Sequence, residues 1–205
     1  LATFGQKVHQ LTSPNGNIRI SVKLTSQIQY NVTQGDQTLM ENCAIGLETA
    51  NRQLGVQPKL SKAVRQSVNE KLTPVIPLKF STVTNHYNQL LLKFKGDYSV
   101  EFRAFDDGFA YRFLTNLKGE QEIMNETFRL NLADDCLLHL QQPGGFKTAY
   151  EEEYCHQTSS EWKASNRMAL LPLLASTRKG TKILISETDL ADYPAMFLKS
   201  DGQGG

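Results

Sequence analysis

The sequence predicts an all-β protein, an antiparallel β-sandwich in one domain over residues 1–205, and three observations carry that prediction. Apolar and polar residues alternate with a period of two along most of the chain. The alternating runs are short and end in turn residues such as Gly35-Asp36, Gly96-Asp97 and Asp107-Gly108. Nothing resembles the regular strand, helix, strand order of a parallel fold. A chain of 205 residues can bury roughly 70% of its unfolded surface, so a genuine core is available.

Ile18, Ile20, Val22 and Leu24 interleave with Arg19, Ser21 and Lys23, and Ile28, Tyr30 and Val32 interleave with Gln29 and Asn31. These are two half-buried strands. Leu90 to Lys95 and Tyr98 to Ala104 flank Gly96-Asp97 and read as a hairpin, and Asp106-Asp107-Gly108 turns the chain into Phe109, Tyr111 and Phe113. Further strands are expected at Met124–Leu132, Leu137–Gln141, Leu170–Thr177 and Lys182–Ser186, the last two joined at Lys179-Gly180. Ile20, Val22, Val100, Phe102 and Ile183 occupy the apolar phase and are expected inside, with Lys23 and Arg103 outside. Helix signals are sparse. Ser61–Leu72 sets Val64, Val68 and Leu72 four residues apart behind a possible Ser61 cap, a pattern open to helix or irregular strand, and Thr158 to Glu161 forms a capping-box sequence before Trp162. The terminal Asp201-Gly202-Gln203-Gly204-Gly205 reads as a boundary.

Twenty-two basic and 21 acidic residues leave a net charge of +1, with no field to attract nucleic acid or an anionic membrane. No apolar run approaches the roughly 20 residues of a membrane helix, so membrane insertion is not expected. Leu1-Ala2-Thr3 carries no signal-like segment, which is equally compatible with a mature exported form. Cys43, Cys136 and Cys155 are widely spaced and read as packing residues; export would permit one disulfide among three pairings.

Glu187 ends the apolar run that begins at Ile183. Its plain reading is a strand-end residue in water; its sharper one is a hard-oxygen ligand for Ca²⁺, completed from elsewhere because that ion takes roughly 6 to 8 oxygens. Asp189 and Asp192 do not reproduce an EF-hand spacing. Asp106 and Asp107 read as turn formers, and Arg112 either pairs with one of them or lies against a sugar-sized ligand. Tyr150-Glu151-Glu152-Glu153-Tyr154 combines aromatic rings with carboxylates, as sugar sites do, although a solvated charge run has the same composition. His9, His86, His139 and His156 show no metal-ligand spacing. No nucleotide-binding motif is present.

Several blocks occur in an order that resembles the amino-terminal domain of glycoside hydrolase family 97. They are Pro14-Asn15-Gly16, Ile45-Gly46-Leu47, Asn85 to Leu90, Asp106 to Arg112, Tyr150-Glu151 with Tyr154, Pro172-Leu173-Leu174, and Glu187 through Tyr193 and Met196 to Leu198. The resemblance implies a β-supersandwich of the galactose mutarotase-like type, followed in the family by a catalytic (β/α)₈ barrel that this chain lacks. It further implies that Glu187 is lent to an active-site Ca²⁺ and that the catalytic carboxylates belong to the barrel; with an α-linked oligosaccharide as the expected partner, Tyr150, Glu151, Tyr154 and Arg112 are the candidate sugar contacts. A periplasmic or secreted location is implied as well. Where the family tends to have alanine after that glutamate and glycine before the methionine, this chain has Thr188 and Ala195. The competing functions are a free-standing carbohydrate-binding module and a mutarotase-like epimerase, the latter resting on shared fold alone.

Overall fold

The structure is a computed structural model, described here for residues 7–165, 167–188, 190 and 193–200. The terminal boundary segment, Asp189 and Asp192 lie outside the described residues. The chain divides into two compact units, residues 1–130 and 131–205.

Unit 1 begins with the strands β1 (Val8–Thr12), β2 (Ile18–Leu24), β3 (Ile28–Gln34), β4 (Gln37–Thr49) and β5 (Arg52–Leu54). It continues with β6 (Leu60–Leu72), β7 (Val83–Phe94), β8 (Tyr98–Ala104), β9 (Phe109–Thr115) and β10 (Ile123–Arg129). All neighbours are antiparallel. One sheet has the order β1-β2-β3-β4-β10 with β5 paired to β4, and the other has the order β6-β7-β8-β9. The two pack face to face: Tyr30 on β3 meets Phe102 on β8 at 6.2 Å and Phe109 on β9 at 5.6 Å between ring centroids. Ile20, Val22, Val100 and Phe102 are fully buried, as the alternation predicts, whereas Lys23 and Arg103 are only half-exposed. Each such burial is worth about 1.5–3 kcal/mol, which makes this interleaved layer the main source of the unit's cohesion.

Gly55 follows β5 at φ +88°, and a Cβ there would meet the Ile45 carbonyl oxygen at 2.9 Å. Only glycine fits this turn, whose N–H donates to the Tyr98 hydroxyl at 3.3 Å. Ser61–Leu72 is a strand rather than a helix, paired with β7 from Leu60↔Phe94 to Leu72↔Val83. The spacing of Val64, Val68 and Leu72 is ambiguous by nature, since positions four apart share a face at a period of 2 as well as 3.6. A continuous ladder to β7 decides it. The following hairpin has a three-residue loop, with Phe94 opposite Tyr98 and Gly96 and Asp97 both at positive φ.

Unit 2 contains β11 (Leu137–Leu140), β12 (Cys155–Thr158), α1 (Ser159–Ser165), β13 (Met168–Leu170), β14 (Leu173–Ser176), β15 (Lys182–Ile185) and β16 (Phe197–Lys199). One sheet has the order β12-β11-β14-β15; β13 and β16 form a separate pair. The expected run Leu170–Thr177 is split at Leu171-Pro172, where proline brings no N–H to a ladder. The capping box forms: Glu161 Oε2 accepts the Thr158 N–H at 2.7 Å, and Thr158 Oγ1 accepts the Glu161 N–H at 3.2 Å. Ile183, Leu138, Leu140 and Leu173 are buried. None of the three cysteines is in a disulfide; Cys43 and Cys136 are buried and Cys155 is half-buried. No described helix is long and apolar enough to cross a membrane.

Candidate functional site

In unit 1, the buried carboxylate of Glu101 lies between two guanidinium groups. Arg103 Nε donates to its Oε1 at 2.6 Å and Arg112 Nε to its Oε2 at 2.7 Å. Burial pushes the Glu101 carboxyl up, but the hydrogen bonds and charges of the two arginines outweigh it and hold the group below the usual carboxylate range. Arg112 therefore pairs with Glu101, not with Asp106 or Asp107. The reason is register: Glu101 and Arg112 are directly opposed across β8 and β9. Asp106 instead accepts the Asn15 N–H at 2.8 Å, and the Phe105 N–H donates to the Gly108 carbonyl, so this motif closes a turn.

In unit 2, two of the remaining candidates, Glu187 and Tyr150, are linked through one short segment. β15 buries Ile183 and Ile185 and exposes Lys182 and Leu184, so the chain leaves the sheet edge just before Glu187. Glu187 is half-buried, and its Oε1 accepts the Met196 N–H at 2.8 Å. The next residue, Phe197, meets Phe146 edge-on at 5.0 Å and Tyr150 at 5.8 Å between ring centroids. Met196-Phe197 thus joins the Glu187 carboxylate to an aromatic cluster.

Phe146 and Tyr150 belong to the long connection between β11 and β12, residues 141–154, which also carries Glu151 and Tyr154. Loops of this length without regular structure commonly carry function. Tyr150 has φ +57°, a costly conformation for a residue with a side chain, and its hydroxyl donates to the Phe146 carbonyl. Phe146 is 66% exposed, Tyr150 40% and Tyr154 53%, while Glu151, Glu152 and Glu153 are also exposed. At the start of the loop Gln142 is buried, its carbonyl accepting from Arg167 Nη2 at 3.2 Å. Its Nε2 is the buried side-chain nitrogen that lacks an acceptor among the described residues. Exposed rings beside carboxylates suit a polyhydroxylated ligand.

Phe146, Phe197 and Gln142 were not legible as site residues. Gly144-Gly145 before Phe146 was the only local hint. The histidines gave no hint either, yet the ladder places His139 opposite His156 with their Nδ1 atoms 2.8 Å apart, and His139 Nε2 is 3.2 Å from Ser176 Oγ. Glu187 offers the hard oxygen that calcium prefers, but one carboxylate supplies at most two of its ligands. Among the described residues no cluster of three metal-ligating side chains occurs.

The antiparallel sheets define an all-β domain of the β-sandwich class. A family model described as "Glycosyl-hydrolase 97 N-terminal" matches residues 11–205, and the chain belongs to that family. It is 30% identical over 213 residues to the retaining alpha-galactosidase of Bacteroides thetaiotaomicron, covering 98% of this chain and 31% of that protein. A probable retaining alpha-galactosidase of Streptomyces bingchenggensis is 27% identical over 82% of this chain. A glycoside hydrolase family 97 enzyme from Pseudoalteromonas sp. strain K8, solved as a variant, superposes with a TM-score of 0.84 at 24% identity over 96% of this chain and 31% of its own. The same enzyme has been solved with panose, with a TM-score of 0.82. The chain thus spans about a third of the length of the relatives it matches.

Proposed function

We propose that this chain is the non-catalytic amino-terminal domain of a calcium-dependent α-glycosidase, lending Glu187 to the metal and the 141–154 loop to one wall of the sugar pocket. The observation that carries the reading is the Met196-Phe197 segment, which ties the Glu187 carboxylate to the exposed rings of Phe146 and Tyr150. Tyr150 and Tyr154 offer ring faces to a pyranose, and Glu151 offers hydrogen-bond acceptors to its hydroxyls. Glu187 supplies a hard oxygen, and its bond from the Met196 N–H fixes where that oxygen points. Calcium, when bound, would supply positive charge that polarises oxygen. The acid and the base or nucleophile of hydrolysis belong, in this reading, to a barrel beyond these residues.

The relatives named as alpha-galactosidases make an aryl α-galactoside the first substrate to try, with an α-glucoside second. The test uses the full-length protein. Glu187→Gln keeps the shape and removes the charge, so calcium affinity and turnover should both fall at least tenfold, with the melting transition of this domain unmoved. Unchanged calcium affinity would return Glu187 to the role of a loop residue. A reading frame without several hundred further residues would overturn the assignment as a whole.

A further inference from the structure

The β6–β7 hairpin ends in a segment that folded chains rarely leave in water. Leu72 and Val83 face one another across the ladder, and residues 73–82 between them form neither strand nor helix. Val75 is 100% exposed, Ile76 74%, Leu78 92% and Phe80 67%, with Leu72 and Val83 also exposed beneath them. Scattered apolar residues on a surface are ordinary, but six on one hairpin end make a patch of the kind that marks an association surface. Pro74 and Pro77 bring no N–H groups, which argues against an edge offered for strand addition. Aliphatic side chains dominate, whereas sugars are met by rings and hydrogen-bonding groups. Lys79 is exposed within the run, between Leu78 and Phe80, and Lys71 is exposed at its foot beside the exposed Glu70.

We propose that this tip is buried, in the full-length protein, in an apolar recess with an acidic group facing Lys79, on the part of the polypeptide outside these 205 residues. The proposal rests on the reading of the chain as one domain of a longer glycosidase. More than two-thirds of each matched relative lies outside the aligned region, so ample polypeptide exists to cover the tip. A second copy of the chain is the poorer occupant, because tip-to-tip association brings two copies of Lys79, each inside the apolar run, into one apolar contact. A membrane is poorer too, since the balance of 22 basic and 21 acidic residues provides no broad cationic face.

The experiment is limited trypsin digestion of the full-length protein, followed at Lys79 by mass spectrometry. Wild type should resist cleavage there, and Ile76→Asp combined with Leu78→Asp should be cut at least tenfold faster. Should that variant fail to fold, Leu78→Cys serves instead: alkylation of the native protein, read on the tip peptide, should run at least tenfold slower than for the urea-unfolded form. Equal rates in either format, in a protein that still shows calcium-dependent glycosidase activity, would overturn the docking while leaving the functional reading intact. A wild-type dimer that the substitutions convert to monomer would assign the tip to a second copy. Sedimentation with phosphatidylglycerol/phosphatidylcholine vesicles that the substitutions abolish would assign it to a membrane. A reading frame with no further domain would overturn both readings.

Discussion

The outer face of β8 and β9 in unit 1 and the loop that follows β15 in unit 2 each hold a glutamate, and the two are treated in opposite ways. Glu101 is buried to 4% side-chain exposure, and each of its oxygens accepts from a different arginine. Glu187 is half-buried, and among the described residues it accepts one backbone N–H and no salt bridge reaches it. A buried carboxylate whose two oxygens each face a guanidinium has its charge compensated locally, and that charge is part of the fold. Glu187 has no such cationic partner among the described residues. The difference in charge compensation separates the two acids more sharply than exposure alone.

The hardest way to break the contrast is to strip Glu101 of both partners. Arg103→Ala with Arg112→Ala leaves a buried carboxylate unpaired and removes the Arg103 guanidinium from the Tyr87 ring, 4.7 Å away. We expect a loss of about 3–5 kcal/mol, read from the urea midpoint; a loss below about 1 kcal/mol would mean that water reaches Glu101 freely.

Acid titration sharpens the contrast next. The folded Glu101 carboxyl lies below its ordinary value near 4.5, so its contribution is complete above that value and is lost as pH falls through the folded one. Glu101→Gln should cost about 1–3 kcal/mol at neutral pH, and the gap from wild type should close at low pH, where the protonated acid resembles the amide. His9 acts in a separate window. Burial first, then Lys7 and Arg65, hold its imidazole below the ordinary 6.5, so its contribution is complete above that value and declines as pH falls below it. His9→Gln should flatten the stability profile as pH falls below 6.5 while leaving the Glu101 step in place.

How much of this was legible follows the same division. Period-two alternation placed Ile20, Val22, Val100 and Phe102 correctly because strand direction alone decides which face they occupy. The aligned family blocks singled out Tyr150 and Glu187 from the sequence. They held Phe197 but not Phe146, and the approach of the two depends on a loop closing across some fifty residues. Glu101 was missed because its sequence neighbours Val100 and Phe102 mark an ordinary exposed position; only the β8–β9 register reveals two arginines around it. Four-residue spacing at Val64 and Val68 satisfied both periods, and pairing with β7 rather than local preference resolved it.

Asp135 stands between the two glutamates. It accepts from Ser159 Oγ at 2.9 Å and from the Ser160 N–H at 3.0 Å, and these bonds at the head of α1 draw its carboxyl below the ordinary value. Because the group is partly solvated, Asp135→Ala should cost only about 1 kcal/mol, less than any disruption of Glu101. A shift in urea midpoint as large as that of the double arginine variant would show that α1 organises the whole unit.

The smallest effect on stability is expected at Glu187, and its smallness is the point. In Glu187→Gln the amide oxygen can still accept the Met196 N–H, so the melting temperature of this chain should hardly move. Glu187→Ala loses that bond and should cost about 1 kcal/mol, as a single net hydrogen bond does. Calcium titration of the same 205-residue chain by calorimetry should give millimolar binding or none, because one carboxylate falls far short of the roughly 6 to 8 oxygens the ion takes. Micromolar binding, abolished by Glu187→Gln, would place a complete calcium site inside this domain. A Gln variant destabilised as strongly as Glu101→Gln would erase the contrast, leaving Glu187 a structural acid like its counterpart.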